Sequence, residues 1–157
     1  MKKYELTDDT VQFFCKTLHR IKALRDFCDV KAGDLGGYIE TESNLSHDGN
    51  AWVDGNAWVS GNARVSGDAR VSGDARVSGD AWVRESSDIA LIKGFGSEFR
   101  ATSFFRCVDG LVRCQCGCFY GTVDEFRSKV RETHGNSKYA KEYLMIADLM
   151  ELHFKED

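Results

Sequence analysis

Between Ala51 and Val83 the apolar positions recur every six residues, in the order AWVDGN, AWVSGN, ARVSGD, ARVSGD, ARVSGD, AWV. An amphipathic helix repeats near 3.6 residues and a plain strand near 2, so a strict six matches neither alone. It fits a chain that runs extended for two or three residues, turns, and starts again. Within each unit Ala and Val flank one residue that points the other way, as alternation along a short strand requires. The Gly-Asn or Gly-Asp pair that follows is the one best suited to positive φ at a corner. Hexapeptide repeats of this kind are a route to a parallel β-helix whose core is the inward Ala and Val.

The repeat resembles that of left-handed β-helices, in which one aliphatic and one small residue of each hexad point inward. On that pattern the aliphatic position falls on Val53, Val59, Val65, Val71, Val77 and Val83, and the small one on Ala57, Ala63, Ala69, Ala75 and Ala81. Carried outward, the same phase points Leu35, Thr41 and His47 inward before the repeat, and Ser87 and Ile89 after it. The resemblance implies three hexads per triangular coil, so residues 35–92 make about three coils. It also implies a left-handed winding, an exception to the usual crossover preference that periodicity alone does not reveal.

The flanks carry different patterns. KYEL, FFCKTLHRI and ALRDF read as two or three strands, forming an N-terminal β cap over residues 1–34. Behind the repeat, Ile89 to Phe95, Thr102 to Val108 and Leu111 to Phe119 read as a β-meander, with Asp109-Gly110 as a hairpin turn. Thr122-Val-Asp-Glu125 is a capping box, so a helix follows with Val123, Phe126 and Val130 on one face, ending at Gly135. Asn136 or Ser137 caps a second helix to about Phe154, whose wide apolar arc predicts burial both in its own domain and against another subunit. The expected fold is therefore mainly β. A hexapeptide-repeat left-handed β-helix at 35–92 sits between the cap and a C-terminal α+β domain at 93–157.

The residue between each Ala and Val forms an outward column: Trp52, Trp58, Arg64, Arg70, Arg76, Trp82. With three hexads per coil, residues 18 apart stack one strand spacing of about 4.8 Å apart. That sets Trp52 over Arg70, Trp58 over Arg76 and Arg64 over Trp82, a geometry that permits guanidinium–indole stacking. The column has three readings: a decorated solvent face, a contact about the three-fold axis common to this repeat type, or a pocket between subunits. In the last, Arg would hold the phosphate of an anionic aromatic ligand such as a nucleotide and Trp would stack on its base.

Composition narrows the partners. The net charge of −4 argues against general nucleic-acid binding. No apolar stretch reaches the length of a membrane span and the N-terminus lacks a signal core, so neither secretion nor membrane insertion is expected. Six cysteines in such a chain read as reduced thiols.

Two constellations could carry chemistry. Left-handed β-helices are best known from acyltransferases, whose general base is a histidine near a subunit interface. Here His47 takes an inward phase that suits a packed imidazole rather than a base. His134 ends a helix, and His19 and His153 sit in ordinary amphipathic context. The repeat also lacks the long excursion loop that such enzymes carry, so no catalytic residue and no cofactor is expected. Cys114, Cys116 and Cys118, with Cys107 across the hairpin, read as small buried apolar residues, with a zinc site or a pairing with His134 as the other readings.

Further segments, DVKAGDLGGYIE at 29–40, NLSHDGNAWV at 44–53, CGCFYGTVDEF at 116–126 and ETHG at 132–135, resemble a family of phage and prophage hexapeptide-repeat proteins. The resemblance implies a virus-associated accessory protein in the cytoplasm of a bacterial host. Small accessory proteins of this kind often block host immunity by binding a defence protein or by sequestering its nucleotide signal. The expected molecule is thus a non-enzymatic homo-oligomer, a trimer, that binds a host defence protein or a cyclic nucleotide through its outward column. An acyltransferase-like enzyme and a structural phage component are the alternatives.

Overall fold

The structure is a computed structural model that describes residues 2–155. Its centre is a β-solenoid built from two-residue strands, one per hexad: β4 (Trp52–Val53), β5 (Trp58–Val59), β6 (Arg64–Val65), β7 (Arg70–Val71), β8 (Arg76–Val77) and β9 (Trp82–Val83). Strands 18 residues apart pair in parallel, Val53 with Val71, Val59 with Val77 and Val65 with Val83. Three successive strands therefore lie on three faces. Every Ala and Val of the repeat from Ala51 to Val83 is at most 1% exposed. At the corner glycine Gly67 (φ 63°) a Cβ would stand 2.4 Å from the Arg84 carbonyl of the next coil. Coil stacking at this corner leaves no room for a side chain.

The first coil corrects the inward phase expected ahead of the repeat. Here β3 (Leu35–Ile39) pairs with β5 so that Ile39 faces Val59, and Leu45 bridges Val65, a spacing of 20 residues rather than 18. The amide of Ser46 bonds to Val65 and that of Asn50 to Gly67, which confines the two additional residues, His47 and Asp48, to one corner. Ile39 and Leu45 are fully buried, while Leu35 and Thr41 are exposed and His47 stays at the surface. Burying Thr41 and His47 would strand polar groups in the core, whereas a longer corner costs little chain entropy.

Each end of the repeat is closed by the same kind of turn. Asn44 accepts from the amides of Glu40 and Thr41 and donates to the carbonyls of Gly61 and Ala63. At the other end Asp88 accepts from the amides of Arg84 and Glu85 and takes an ion pair from Arg106. Asp88 is consequently buried. Ser87, expected inward, is exposed, and Ile89 packs against the core.

The N-terminal hairpin of β1 (Tyr4–Phe13) and β2 (Lys16–Ala23) joins the first face, in the order β1-β2-β3-β5-β8. FFCKTLHRI is thus not one strand: its Phe14 and Cys15 form the turn, and the ALRDF segment is irregular apart from Ala23. Tyr4, Ile21, Phe27 and Val30 enter the solenoid core at one end, and Phe105 and Cys107 enter it at the other. This matches the need of a repeat array for terminal caps.

The C-terminal unit is a four-stranded antiparallel sheet of β10 (Ile89–Phe95), β11 (Arg100–Arg106), β12 (Val112–Cys116) and β13 (Phe119–Thr122). Helices α1 (Val123–His134) and α2 (Lys138–Phe154) follow. The capping box closes as read: Glu125 N–H donates to Thr122 Oγ1 at 3.2 Å and Thr122 N–H to Glu125 Oε1 at 2.9 Å. Ser137 caps α2. Period-2 alternation sends Phe105 to the solenoid and Phe104 to the helices, where it meets Phe126 at 5.7 Å. One side of the α2 arc (Tyr143, Ile146, Met150) is buried there; Met145, Leu149 and Leu152 on the other side are exposed.

Candidate functional site

The three Trp–Arg registers of the outward column are all present, but their surroundings differ. On the first face Trp58 pairs with Arg76, whose guanidinium lies 3.9 Å over the indole. Arg76 Nη1 donates to the carbonyls of Asn56 and Asp74 at 3.1 Å and of Ala75 at 3.3 Å, and burial pulls its pKa below the ordinary value. Phe13, from the tip of the hairpin, packs edge-on against Trp58 at 5.4 Å. The column extends beyond the repeat. Tyr38 pairs with Trp58, and Arg20 lies 4.4 Å over the Tyr38 ring while donating to Tyr38 Oη and Asp9. Arg20, Tyr38, Trp58 and Arg76 thus occupy register positions on four neighbouring strands, with a guanidinium over a ring at each end of the row.

On the third face Trp52 pairs with Arg70 but is only 1% exposed, sealed edge-on by Phe27 at 5.3 Å and Tyr4 at 6.5 Å. Arg70 forms its ion pair with Asp29 instead. Trp52 is therefore outward from the coil yet inside the molecule, because the N-terminal segment folds over this face. A ligand cannot reach it.

The second face is open. Arg64 and Trp82 are both exposed, and Arg84 rather than Arg64 stacks on the indole, at 4.4 Å. Among the described residues Arg64 has no ion-pair partner. Arg84, Tyr38 and Arg20 went unread because they fall outside the strict hexads. The only signal was aromatic or basic character next to the coil strands.

The clustered cysteines divide between the two cores and the surface. Cys107 faces the solenoid core while Cys114 and Cys116 face the helices, and Cys118 lies past the turn at Gly117. Burial pushes the Cys107 thiol above its ordinary pKa and the Cys114 thiol well above it. Among the described residues no three His, Cys, Asp or Glu side chains are placed to hold a metal. His47 stacks on Tyr4 at 4.2 Å, its Nδ1 accepts from the Lys3 amide at 3.1 Å, and Nε2 lies 2.9 Å from Glu42 Oε1. With Nδ1 accepting, Nε2 carries the proton and donates to Glu42, which leaves no free nitrogen for a general base. His134 borders a cavity of about 320 Å³ with Cys116, Cys118 and Tyr143. His19 contacts the Thr7 carbonyl through Nδ1, and His153 packs on Phe154.

Two comparisons bear on this geometry. The model of the YdcK β-solenoid repeat matches residues 57–71 and 69–85. The chain is also similar to a protein of Escherichia coli K12 named "Uncharacterized acetyltransferase YdcK", 36% identical over 61 residues, which is 34% of this chain and 19% of that protein. The matched stretch is thus a small part of the relative's length. The repeat match agrees with the parallel 18-residue pairing: the centre of this chain is a β-solenoid repeat.

Proposed function

We propose that the chain is a non-enzymatic accessory protein of the phage type, whose left-handed solenoid assembles as a homotrimer through the face bearing Arg64, Trp82 and Arg84 and binds a host partner in that assembled form. The observation that carries this reading is that, of the three Trp–Arg registers, one alone stands open. Trp52 is sealed by Phe27 and Tyr4, and Trp58 is flanked by Phe13 and Arg76. An exposed indole with two guanidinium groups beside it has the composition of an interface hot spot.

Light scattering at micromolar concentration tests the assembly. The expected mass is three times the 17.6 kDa of one chain, and Trp82→Ala combined with Arg64→Glu should reduce it to one. A monomeric wild type overturns the reading. The phage resemblance suggests blockade of host defence as the biological use. In that case expression of the chain should restore plating of a phage on a host carrying a nucleotide-signalling defence system, and the double variant should not restore it.

A second reading follows from the name of the E. coli relative, an uncharacterized acetyltransferase. Against it stand the engaged nitrogens of His47 and the uninterrupted coils from Ala51 to Val83. Release of free thiol from acetyl-CoA in the presence of an acceptor panel, lost in His134→Ala or His47→Ala, would favour the enzyme instead.

A further inference from the structure

At the far end of the first face, Arg76 meets the tips of two hairpins. A cleft of about 300 Å³ opens there between Phe13, at the end of β1, and Phe99, in the turn between β10 and β11. Three cations line it, Arg76, Lys93 and Arg100, against one carboxylate, Asp74, which already pairs with Lys93. Arg76 donates through Nη1, so its Nε and Nη2 have no acceptor among the described residues. The Arg100 guanidinium likewise has neither an ion pair nor a hydrogen bond among them. Positive charge thus exceeds its local compensation in a cleft whose two walls are phenyl rings.

The backbone supports a binding role. Phe99 holds φ at 53° and Phe14, beside Phe13, holds it at 55°, in the left-handed region that disfavours any residue with a side chain. Both rings are exposed, Phe99 by 64% and Phe14 by 76%. Glycine or asparagine at either position would relieve the strain and remove an apolar ring from water. Phe14 packs on Phe13 at 4.7 Å, whereas Phe99 itself lines the cleft, and a strained, exposed aromatic at the mouth of a cationic cleft is explained by a ligand that covers it.

We propose that this cleft binds an aromatic anion of the nucleoside or aryl phosphate class. The phosphate lies among Arg76, Lys93 and Arg100, and the planar ring between Phe13 and Phe99. Guanidinium groups match phosphate oxygens in charge and geometry, and stacking on phenyl faces tolerates many ring types. The site is separate from the Arg64–Trp82 face, so it stands or falls independently of trimer formation.

Calorimetric titration of the full chain with 5′-AMP, phenyl phosphate and inorganic phosphate tests it. Saturable binding of the two aromatic phosphates is expected, with inorganic phosphate weaker. Arg100→Ala and Lys93→Gln should each weaken AMP binding by about ten-fold or more, as loss of a charge-assisted hydrogen bond does. Phe99→Leu should weaken AMP several-fold and leave inorganic phosphate unchanged, whereas Trp82→Ala should bind AMP as wild type does. The proposal is overturned if neither aromatic phosphate saturates at millimolar concentration. It is equally overturned if both cation variants bind AMP unchanged, or if inorganic phosphate binds as tightly as AMP.

Discussion

Chemically identical residues at equivalent repeat positions have different fates here, and the difference is measurable. Trp52 and Trp82 both occupy the middle of an Ala-Trp-Val unit, yet one is 1% and the other 38% exposed. Trp52→Ala should cost about 3–5 kcal/mol, because the cavity left between Phe27 and Tyr4 cannot collapse fully. Trp82→Ala should cost about 1 kcal/mol or less in a dissociated protomer, the worth of an exposed stack with Arg84. Urea unfolding at a protein concentration low enough to dissociate any assembly distinguishes them, and equal losses would refute the sealed third face. Lys3 offers a second test at this scale. Its ammonium is buried over the Phe27 ring and donates to the Ala51 carbonyl at 2.6 Å. Burial first, and then the charge of Arg25, lower its pKa from 10.5 to about 8. Between those values the unfolded chain binds more protons than the folded one, so this residue's contribution to stability rises with pH. The stability of wild type relative to Lys3→Met should accordingly climb from pH 8 to about 10.5 and stay flat below pH 7. Thiol and phenol ionisation is common to both proteins and drops out of that difference.

Among the elements, the coil strands are too short to persist alone, and the corners hold them in place. Asn44 satisfies two amides of its own turn and two carbonyls of the next coil from a fully buried side chain. Asn44→Ala strands those groups and should cost about 1–3 kcal/mol. Asn44→Asp keeps the two accepted bonds and should fall between alanine and wild type in thermal melting. The strict hexads, the capping box at Thr122 and the hairpin at Asp109-Gly110 were legible because each depends on residues near in sequence. The inward phase before the repeat was not. Extrapolating six-residue steps through His47 ignores a two-residue corner that shows itself only when Leu45 meets Val65 across the coil.

Across the whole molecule, two cores share one sheet, and adjacent residues of β11 serve different ones. Phe105 closes the solenoid and Phe104 anchors the helices. Each Phe→Ala change should cost about 3–5 kcal/mol. In hydrogen exchange, Phe105→Ala should first release the amides of the last coil, and Phe104→Ala those of α1 and α2. Identical exchange patterns in the two variants would show a single undivided core. Such division of labour is invisible in the pair of letters FF, since a strand's faces acquire meaning only from what packs on them. The same holds for the outward column. By itself the sequence determined the six-residue period, the inward Ala and Val, and the spacing that aligns Trp52 with Arg70, Trp58 with Arg76 and Arg64 with Trp82. The period and the inward positions are local or strictly periodic, and the 18-residue spacing adds only the three-hexad coil that the resemblance to left-handed β-helices implies. The tertiary structure decided which register is sealed, which is flanked and which is open, because the covering residues Tyr4, Phe13 and Phe27 lie far away along the chain and reach the column only through folding.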